Sequence, residues 1–343
     1  MKTQEFILNE SRNVTLTAYL QETDGEFGFS KRPAMLILPG GGYAMCSDRE
    51  ADPVAAAYLK AGYQAFILRY TVKSKGGWPL PLEDYEQAMT LIEENAEQWH
   101  VDTAHIAVIG FSAGGHLAAC AATVAEHKPA AAVLVYPAIL KDICDLCQPN
   151  MPFPHEHVTP ETAPCFLAAA RDDRTVDISN ALMMELALAK NGVAFESHIY
   201  SYGGHGFSTG EDWIITNAAC PRLPRWVSDS IEWLGEILGK FTRNGFTEPV
   251  AACSMNANYA PVLSVMCTLN HLNGQSDAAK AVLAPMYAGI EAVAKARGFR
   301  TEMLTAAIGS NTAKEIMEML QLPAEAINTI DAALHGMINE LEK

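Results

Sequence analysis

Short apolar runs separated by longer amphipathic stretches set the rhythm of this chain. Ala34–Leu38, Gln64–Tyr70, Ile106–Ile109, Ala131–Tyr136 and Cys165–Ala170 carry little polar alternation. A strand covered on both faces reads this way, because successive side chains point to opposite sides and both sides must be apolar. Between and after them, Arg49–Ala61, Leu82–Trp99, Gly115–Val124, Ile178–Asn191 and Arg225–Phe241 have helical length and spacing, and Ala194–Tyr200 adds a further strand. Strands alternating with helices call for right-handed crossovers and a mostly parallel, doubly wound sheet, an α/β fold. The chain opens differently. Phe6–Leu8 and Val14–Leu20 flank the polar Asn9–Asn13, and the alternation of Val14, Leu16, Ala18 and Leu20 predicts an antiparallel hairpin with one apolar face. A Gly-bearing loop, Asp24–Arg32, leads into the regular part.

Two segments break the rhythm. Between Tyr136 and Cys165 the chain is interrupted by Pro137, Pro149, Pro152, Pro154, Pro160 and Pro164, which predicts a surface loop or small lid. Thr242–Pro249 is polar and punctuated by Gly245 and Pro249, and beyond it the composition shifts to Ala, Met, Leu and Glu at helical period. We therefore expect an α/β domain over 1–243 and a helical domain over 250–343. In the latter, Asn258–Asn273 and Asp277–Ala296 read as helices, and Thr312 with Glu315 makes a capping-box pattern ahead of Ile316, Met319 and Leu320. Pro323 opens a helix whose stripe is Ile327, Ile330, Leu334, Met337, Ile338 and Leu341.

Composition narrows the range of partners. With 343 residues, 49% of them hydrophobic, the chain is long enough to bury a full core. Its 24 basic against 40 acidic residues, a formal charge of −16, exclude a nucleic-acid backbone or an anionic membrane as partner, since both require a basic surface. The first residues lack a basic stretch followed by an apolar one, and no run approaches the roughly 18 apolar residues of a membrane span, so the expectation is a cytoplasmic protein. The eight cysteines are dispersed and suit reduced thiols better than a disulfide framework. Cys144 and Cys147 form a lone C-x-x-C, which without a second pair is weak evidence for zinc or redox work. His155 and His157 in the Pro-rich stretch read as solvated loop residues, and no metal site is expected.

The candidate chemistry lies at strand ends. Gly110-Phe111-Ser112-Ala113-Gly114 joins the run Ile106–Ile109 to the small-residue helix after it. A G-x-S-x-G turn is tight enough to require glycine on either side, and it lifts the serine hydroxyl to the carboxyl end of a strand, beside a helix N-terminus that favours negative charge. Ser112 is thus a candidate nucleophile. Pro39-Gly40-Gly41-Gly42-Tyr43 follows another strand, and glycines there leave main-chain N–H groups open to a ligand. Asp172 and Asp173 stand just past Cys165–Ala170, where an acid orienting a histidine belongs, while Asp177 fits a helix cap better. His205, in Gly203-Gly204-His205-Gly206, completes the order serine, acid, histidine as the candidate base.

PGGGY (39–43), LPLEDYEQAM (80–89), GFSAGGHLAA (110–119), RDDRTVD (171–177) and GGHGF (203–207) together resemble the α/β-hydrolase superfamily, within it the hormone-sensitive-lipase-like carboxylesterases and the bacterial acetyl-xylan or feruloyl esterases. The resemblance covers about residues 1–241. It implies Ser112 as nucleophile, His205 as base and Asp173 as acid, because Val176 keeps the family's spacing from Asp173 and not from Asp172. It also implies an oxyanion hole from the amides of Gly41, Gly42 and Ala113. Family members often carry His before the triple glycine; Pro39 here is similar to the acetyl-esterase-like members and points away from large acyl groups.

The expectation is a serine esterase releasing short acyl groups, acetyl foremost, from small-molecule or oligosaccharide esters, with no cofactor. A peptidase of prolyl-oligopeptidase type would share these motifs, but the chain is too short for its propeller domain. A non-catalytic binding protein on the same scaffold would have no use for serine, acid, histidine and glycine loop together. The helical region resembles no family we recognise. With Tyr259, Tyr287 and Phe299 as its aromatic residues it lacks a sugar-binding platform, so packing or self-association into a homo-oligomer is expected of it.

Overall fold

The structure is a computed structural model, and it describes all residues except 24–25, 216–219, 248, 250–262, 336 and 338–343. The chain divides into two compact units, the first from Met1–Leu188 and Val193–Ala252, the second almost wholly from Cys253–Lys343.

In the first unit the opening hairpin, β1 (Lys2–Asn9) and β2 (Val14–Leu20), leads to β3 (Arg32–Leu38), β4 (Gln64–Arg69), β5 (Val101–Phe111), β6 (Ala131–Val135), β7 (Cys165–Ala170) and β8 (Phe195–Tyr200). These strands form one sheet in the order β1-β2-β4-β3-β5-β6-β7-β8. β1 and β2 pair antiparallel, as do β2 and β4, and all later neighbours are parallel. The central strands are buried on both sides. Along β3, Ala34, Leu36 and Leu38 join one core while Met35 and Ile37 join the other; Phe66 and Leu68 against Ala65 and Ile67 repeat the division in β4. Continuous apolar sequence and two-sided burial are one fact, since each face needs its own alternate residues.

The helices α1 (Asp52–Lys60), α2 (Leu80–Glu94), α3 (Ala113–Thr123), α4 (Lys141–Cys147), α5 (Ser179–Lys190) and α6 (Arg225–Leu238) cover those faces. Val54 and Tyr58 of α1 and Trp226, Trp233 and Leu234 of α6 share one core, and Tyr85, Met89 and Ile92 of α2 with Leu117 of α3 and Met184 of α5 share the other. Every residue of α3, AGGHLAACAAT, is buried. Its small side chains bring the helix axis close to the sheet: a Cβ on Gly114 would stand 2.0 Å from the Leu38 carbonyl oxygen, and one on Gly110 2.0 Å from that of Gly114.

The expected elements differ from these mainly at their ends. α2 stops at Glu94 rather than Trp99, and the Asn95 side chain donates back to the Leu91 carbonyl at 2.8 Å. β5 begins at Val101, five residues earlier than its apolar run, because Val101 pairs with Arg32 across an irregularity in register. The Pro-rich stretch read as a loop holds α4 and a single 3₁₀ turn, Pro154–Glu156. The polar break at 242–249 holds a two-residue hairpin, β9 (Phe241–Thr242) and β10 (Gly245–Phe246), whose Phe241 meets Phe29 with ring centroids 4.7 Å apart and whose Phe246 stacks on His105. Structure of the first unit therefore runs past residue 243.

The second unit comprises α7 (Leu269–Asn273), α8 (Asp277–Val282), α9 (Ala284–Ala296), α10 (Thr301–Ala307), α11 (Ala313–Met319) and α12 (Ala324–His335) around Leu269, Leu272, Met286, Ile290, Ile316, Met317 and Leu334. The helix expected over Asp277–Ala296 is two, divided at Leu283, with Pro285 in the first turn of the second. Of the helix expected over Asn258–Asn273, residues 258–262 lie outside the described residues and only Leu269–Asn273 is helical. Ile338 and Leu341 of the last stripe also lie outside them, while Ile327, Ile330 and Leu334 are buried. The capping box forms, Thr312 Oγ1 accepting from the Glu315 amide and Glu315 accepting from that of Thr312. Among the described residues no helix is long and apolar enough to cross a membrane.

Candidate active site

After β3 the chain crosses to β4 on one side, then returns through α2 to β5 on the other, so β3 and β5 become neighbours at the point where the winding reverses. Leu38 pairs with Gly110 there. Loops leaving two adjacent strands in opposite directions open a crevice at the carboxyl ends, the usual ligand position in such sheets. The triple-glycine turn and Ser112 both lie at this crevice.

Ser112 has φ 51° and ψ −113°, a conformation that costs a non-glycine residue of order 1–3 kcal/mol and persists only when the surroundings impose it. They do so through main-chain bonds. Ser112 N–H donates to Val135 O at 3.0 Å, and its carbonyl accepts from His116 N and Ala138 N, each at 3.0 Å. The hydroxyl is thereby held ahead of the N-terminus of α3.

His205 arrives on the loop after β8. Its Nε2 lies 2.9 Å from Ser112 Oγ and its Nδ1 lies 2.6 Å from Asp173 Oδ2. Asp173 is buried, and its Oδ1 accepts the amides of Thr175 and Val176 at 2.8 and 2.9 Å. The apolar residue three places on is thus part of the carboxylate's cradle. Asp172 also serves this loop, but through the backbone: its Oδ1 accepts Gly203 N–H and Gly204 N–H, both at 2.9 Å. Asp177 accepts the Ser179 amide at the start of α5.

Around these groups lies a cavity of about 350 Å³, lined among others by Gly41, Gly42, Met45, Ser112, Ile143 and Val176. Among the described residues, the N–H groups of Gly41, Gly42 and Ala113 donate to no protein acceptor. The structure brings all six expected site residues to this one end of the sheet. His155 and His157 do not line the cavity, whereas Cys147 does; Cys144 is buried, its thiol pushed up to about 12 by that burial.

Three further groups were not singled out in the sequence. Glu50, at the end of the 3₁₀ turn Asp48–Glu50, lines the cavity and bonds Gly40 and Tyr136. Arg49 lines it as well. His116 of α3, fully buried, has Nε2 2.9 Å from the Pro152 carbonyl and Nδ1 2.9 Å from the Tyr43 hydroxyl. A carbonyl only accepts, so Nε2 carries the proton and Nδ1 accepts from Tyr43. Burial lowers His116 to about 4, and the ring ties α3 to the Pro-rich segment as a neutral group.

Comparison with known proteins gives the superfamily. Residues 26–132 match the BD-FAE family. The solved structure of MGS-M1, an alpha/beta hydrolase enzyme from a Medee basin deep-sea metagenome library, is 39% identical with a TM-score of 0.64, over 69% of this chain and 98% of that one. The chain belongs to the α/β-hydrolase superfamily. The chain is also 30% identical to endo-1,4-beta-xylanase B of Butyrivibrio fibrisolvens over 57% of its own length and 35% of the relative's. To the acetylxylan esterase of Xylanibacter ruminicola it is 29% identical, over 52% of its own length and 41% of the relative's. The chain thus spans less than half the length of these two curated relatives.

Proposed function

We propose that the chain is a serine carboxylic ester hydrolase removing short acyl groups, acetyl foremost, from carbohydrate or small-alcohol esters. The observation that carries this reading is the line from Asp173 through His205 to Ser112, with contacts of 2.6 and 2.9 Å, ending beside amides that have no protein acceptor. Ser112 Oγ attacks the ester carbonyl while His205 Nε2 takes its proton. Asp173 holds the Nδ1–H tautomer and stabilises the imidazolium. The Gly41, Gly42 and Ala113 amides meet the tetrahedral oxyanion, each worth on the order of 10²–10³ in rate. The imidazolium protonates the departing alcohol, and water, activated by the same ring, releases the acid from the acyl-enzyme.

Acetyl is supported by the name of the Xylanibacter ruminicola relative, and the apolar Met45, Ala138, Ile143 and Val176 in the cavity wall suit an uncharged acyl group. The chemistry is assigned to residues 1–243, in a cytoplasmic protein, with 250–343 as a separate helical domain for packing or self-association. Truncation after Thr247 tests that last assignment: unchanged oligomeric state, solubility and activity would remove it.

The deciding experiment is hydrolysis of p-nitrophenyl esters from acetyl to octanoyl, alongside Ser112→Ala and an acetylated xylo-oligosaccharide. A steep acetyl preference that vanishes in the variant, with acetate released from the sugar, is expected. Ser112-dependent activity that rises with chain length or spares the sugar would discard the carbohydrate substrate, and activity persisting in Ser112→Ala would discard the mechanism.

A further inference from the structure

A buried carboxylate that the steps above do not use lies between the two loops that carry them. Glu50 is 4% exposed. Its Oε2 accepts the Gly40 N–H at 2.7 Å and its Oε1 accepts the Tyr136 hydroxyl at 2.7 Å. The Tyr136 oxygen accepts the Ser208 amide at 3.0 Å, the Ser208 hydroxyl donates to the Arg49 carbonyl, and the Ser208 carbonyl accepts from Trp226 Nε1 at 3.1 Å. The Tyr136 ring stands edge-on to that of His205, with centroids 4.9 Å apart. On the other side, a Cβ at Gly40 would fall 2.8 Å from Glu50 Oε2 and 3.0 Å from Ser112 Cβ, so one glycine separates this carboxylate from the nucleophile.

We propose that Glu50 is a positioning residue for the reaction: from one buried point it fixes the Gly40–Gly42 turn that presents the oxyanion amides and, through Tyr136 and Ser208, the loop that aims His205 at Ser112. The proposal rests on the esterase reading of Ser112. A buried carboxylate is retained at a desolvation cost, which here pushes the Glu50 carboxyl up and is opposed by the Tyr136 hydroxyl, the Gly40 amide and the Arg49 charge. The donor geometry explains why an acid stands here. Gly40 and Tyr136 both donate, and Ser208 N–H already occupies the Tyr136 oxygen, so two acceptor oxygens are needed and a carboxylate has both. Glutamine offers one oxygen and turns an NH₂ group towards the other donor.

The test is steady-state hydrolysis of p-nitrophenyl acetate by wild type, Glu50→Gln, Tyr136→Phe and the double variant, with rates expressed per Ser112 titrated by a fluorophosphonate, so that misfolded protein is not counted. Glu50→Gln is expected to lower kcat roughly ten- to hundredfold, as for a small misplacement of reacting groups, with KM within about twofold. Tyr136→Phe should lose less, and the double variant should lie within about threefold of Glu50→Gln, because both changes act through one link. Wild-type kcat per titrated site in Glu50→Gln, a loss confined to KM, or fully multiplicative losses in the double variant would each overturn the proposal. If Glu50→Gln does not fold, Tyr136→Phe carries the decision by the same kcat criterion. Activity surviving in Ser112→Ala would overturn the esterase reading first; its loss there, with unaffected Glu50 and Tyr136 variants, would overturn this inference alone.

Discussion

Asp173→Asn gives the sharpest test of the assigned site, because the structure fixes how the new amide must sit. Asp173 Oδ1 accepts two main-chain N–H groups, from Thr175 and Val176, at 2.8 and 2.9 Å. An asparagine keeps its oxygen at that position, since an NH₂ there would face two donors. The NH₂ then occupies the Oδ2 position, 2.6 Å from His205 Nδ1 in the native chain. Facing a donor, Nδ1 must become the acceptor, so the ring proton moves to Nε2 and points at Ser112 Oγ. That tautomer cannot take the serine proton. The corresponding change in a serine-protease triad costs about 10⁴ in kcat, roughly 5 kcal/mol of barrier. Because both backbone bonds survive, the unfolding midpoint should barely move. The assay is p-nitrophenyl acetate turnover near pH 7.5 with a urea titration of the same samples. Asp172→Asn is the control: its oxygen still accepts Gly203 N–H and Gly204 N–H, so the loss should stay under about tenfold. Asp173→Asn within tenfold of wild type, or a deeper loss in Asp172→Asn, would refute the reasoning.

Other perturbations probe the scaffold. Gly114→Ala places a Cβ 2.0 Å from the Leu38 carbonyl, a main-chain atom inside the sheet, and should cost about 3 kcal/mol or prevent folding; a wild-type urea midpoint would contradict the close approach. His116 takes its proton near 4 when folded, against about 6.5 when unfolded, so the unfolded chain holds the extra proton between those values. Stability should therefore fall as pH drops from about 6.5 towards 4, by up to about 3 kcal/mol from this residue, and a Glu- and Asp-matched comparison with His116→Gln should have a shallower acid slope. Equal slopes in the two proteins would count against the buried neutral ring. Thr312→Ala removes the capping box of α11 and should cost the helical unit about 1 kcal/mol, read by its own unfolding transition, with turnover at Ser112 unchanged.

The sequence was most informative where one physical requirement acts alone. β7, Cys165–Ala170, is bounded as expected because burial on both faces admits only apolar residues along it. Ser112, His205 and the pair Asp172 and Asp173 stood out as candidates because each stands just past an expected strand end in a fixed chain order, whereas the choice of Asp173 over Asp172 came only from its spacing to Val176 in the family the chain resembles. What escaped depends on distant partners. α4 has seven residues, too few for KDICDLC to establish a period, and β9 and β10 have two each, held by Phe29 and His105 from far along the chain. Glu50 fell inside the expected helix Arg49–Ala61 with nothing to distinguish it; its partners are Gly40, ten residues away, and Tyr136, eighty-six away. No local spacing encodes that pairing.

The parallel pairing of β3 with β5 has a consequence for how activity is acquired. The Gly41 and Gly42 amides proposed for the oxyanion follow one strand, while Ser112, the proposed nucleophile, and the Ala113 amide follow the other, with the whole of β4 and α2 between them in the chain. Neither segment can build the whole proposed site alone during folding, and a slip of one residue between the strands would shift one part against the other by about 3.3 Å. Catalytic competence is therefore a readout of strand registry at the centre of the sheet. In refolding it should return with the slowest long-range pairing rather than with helix formation, so turnover should lag the recovery of helical signal.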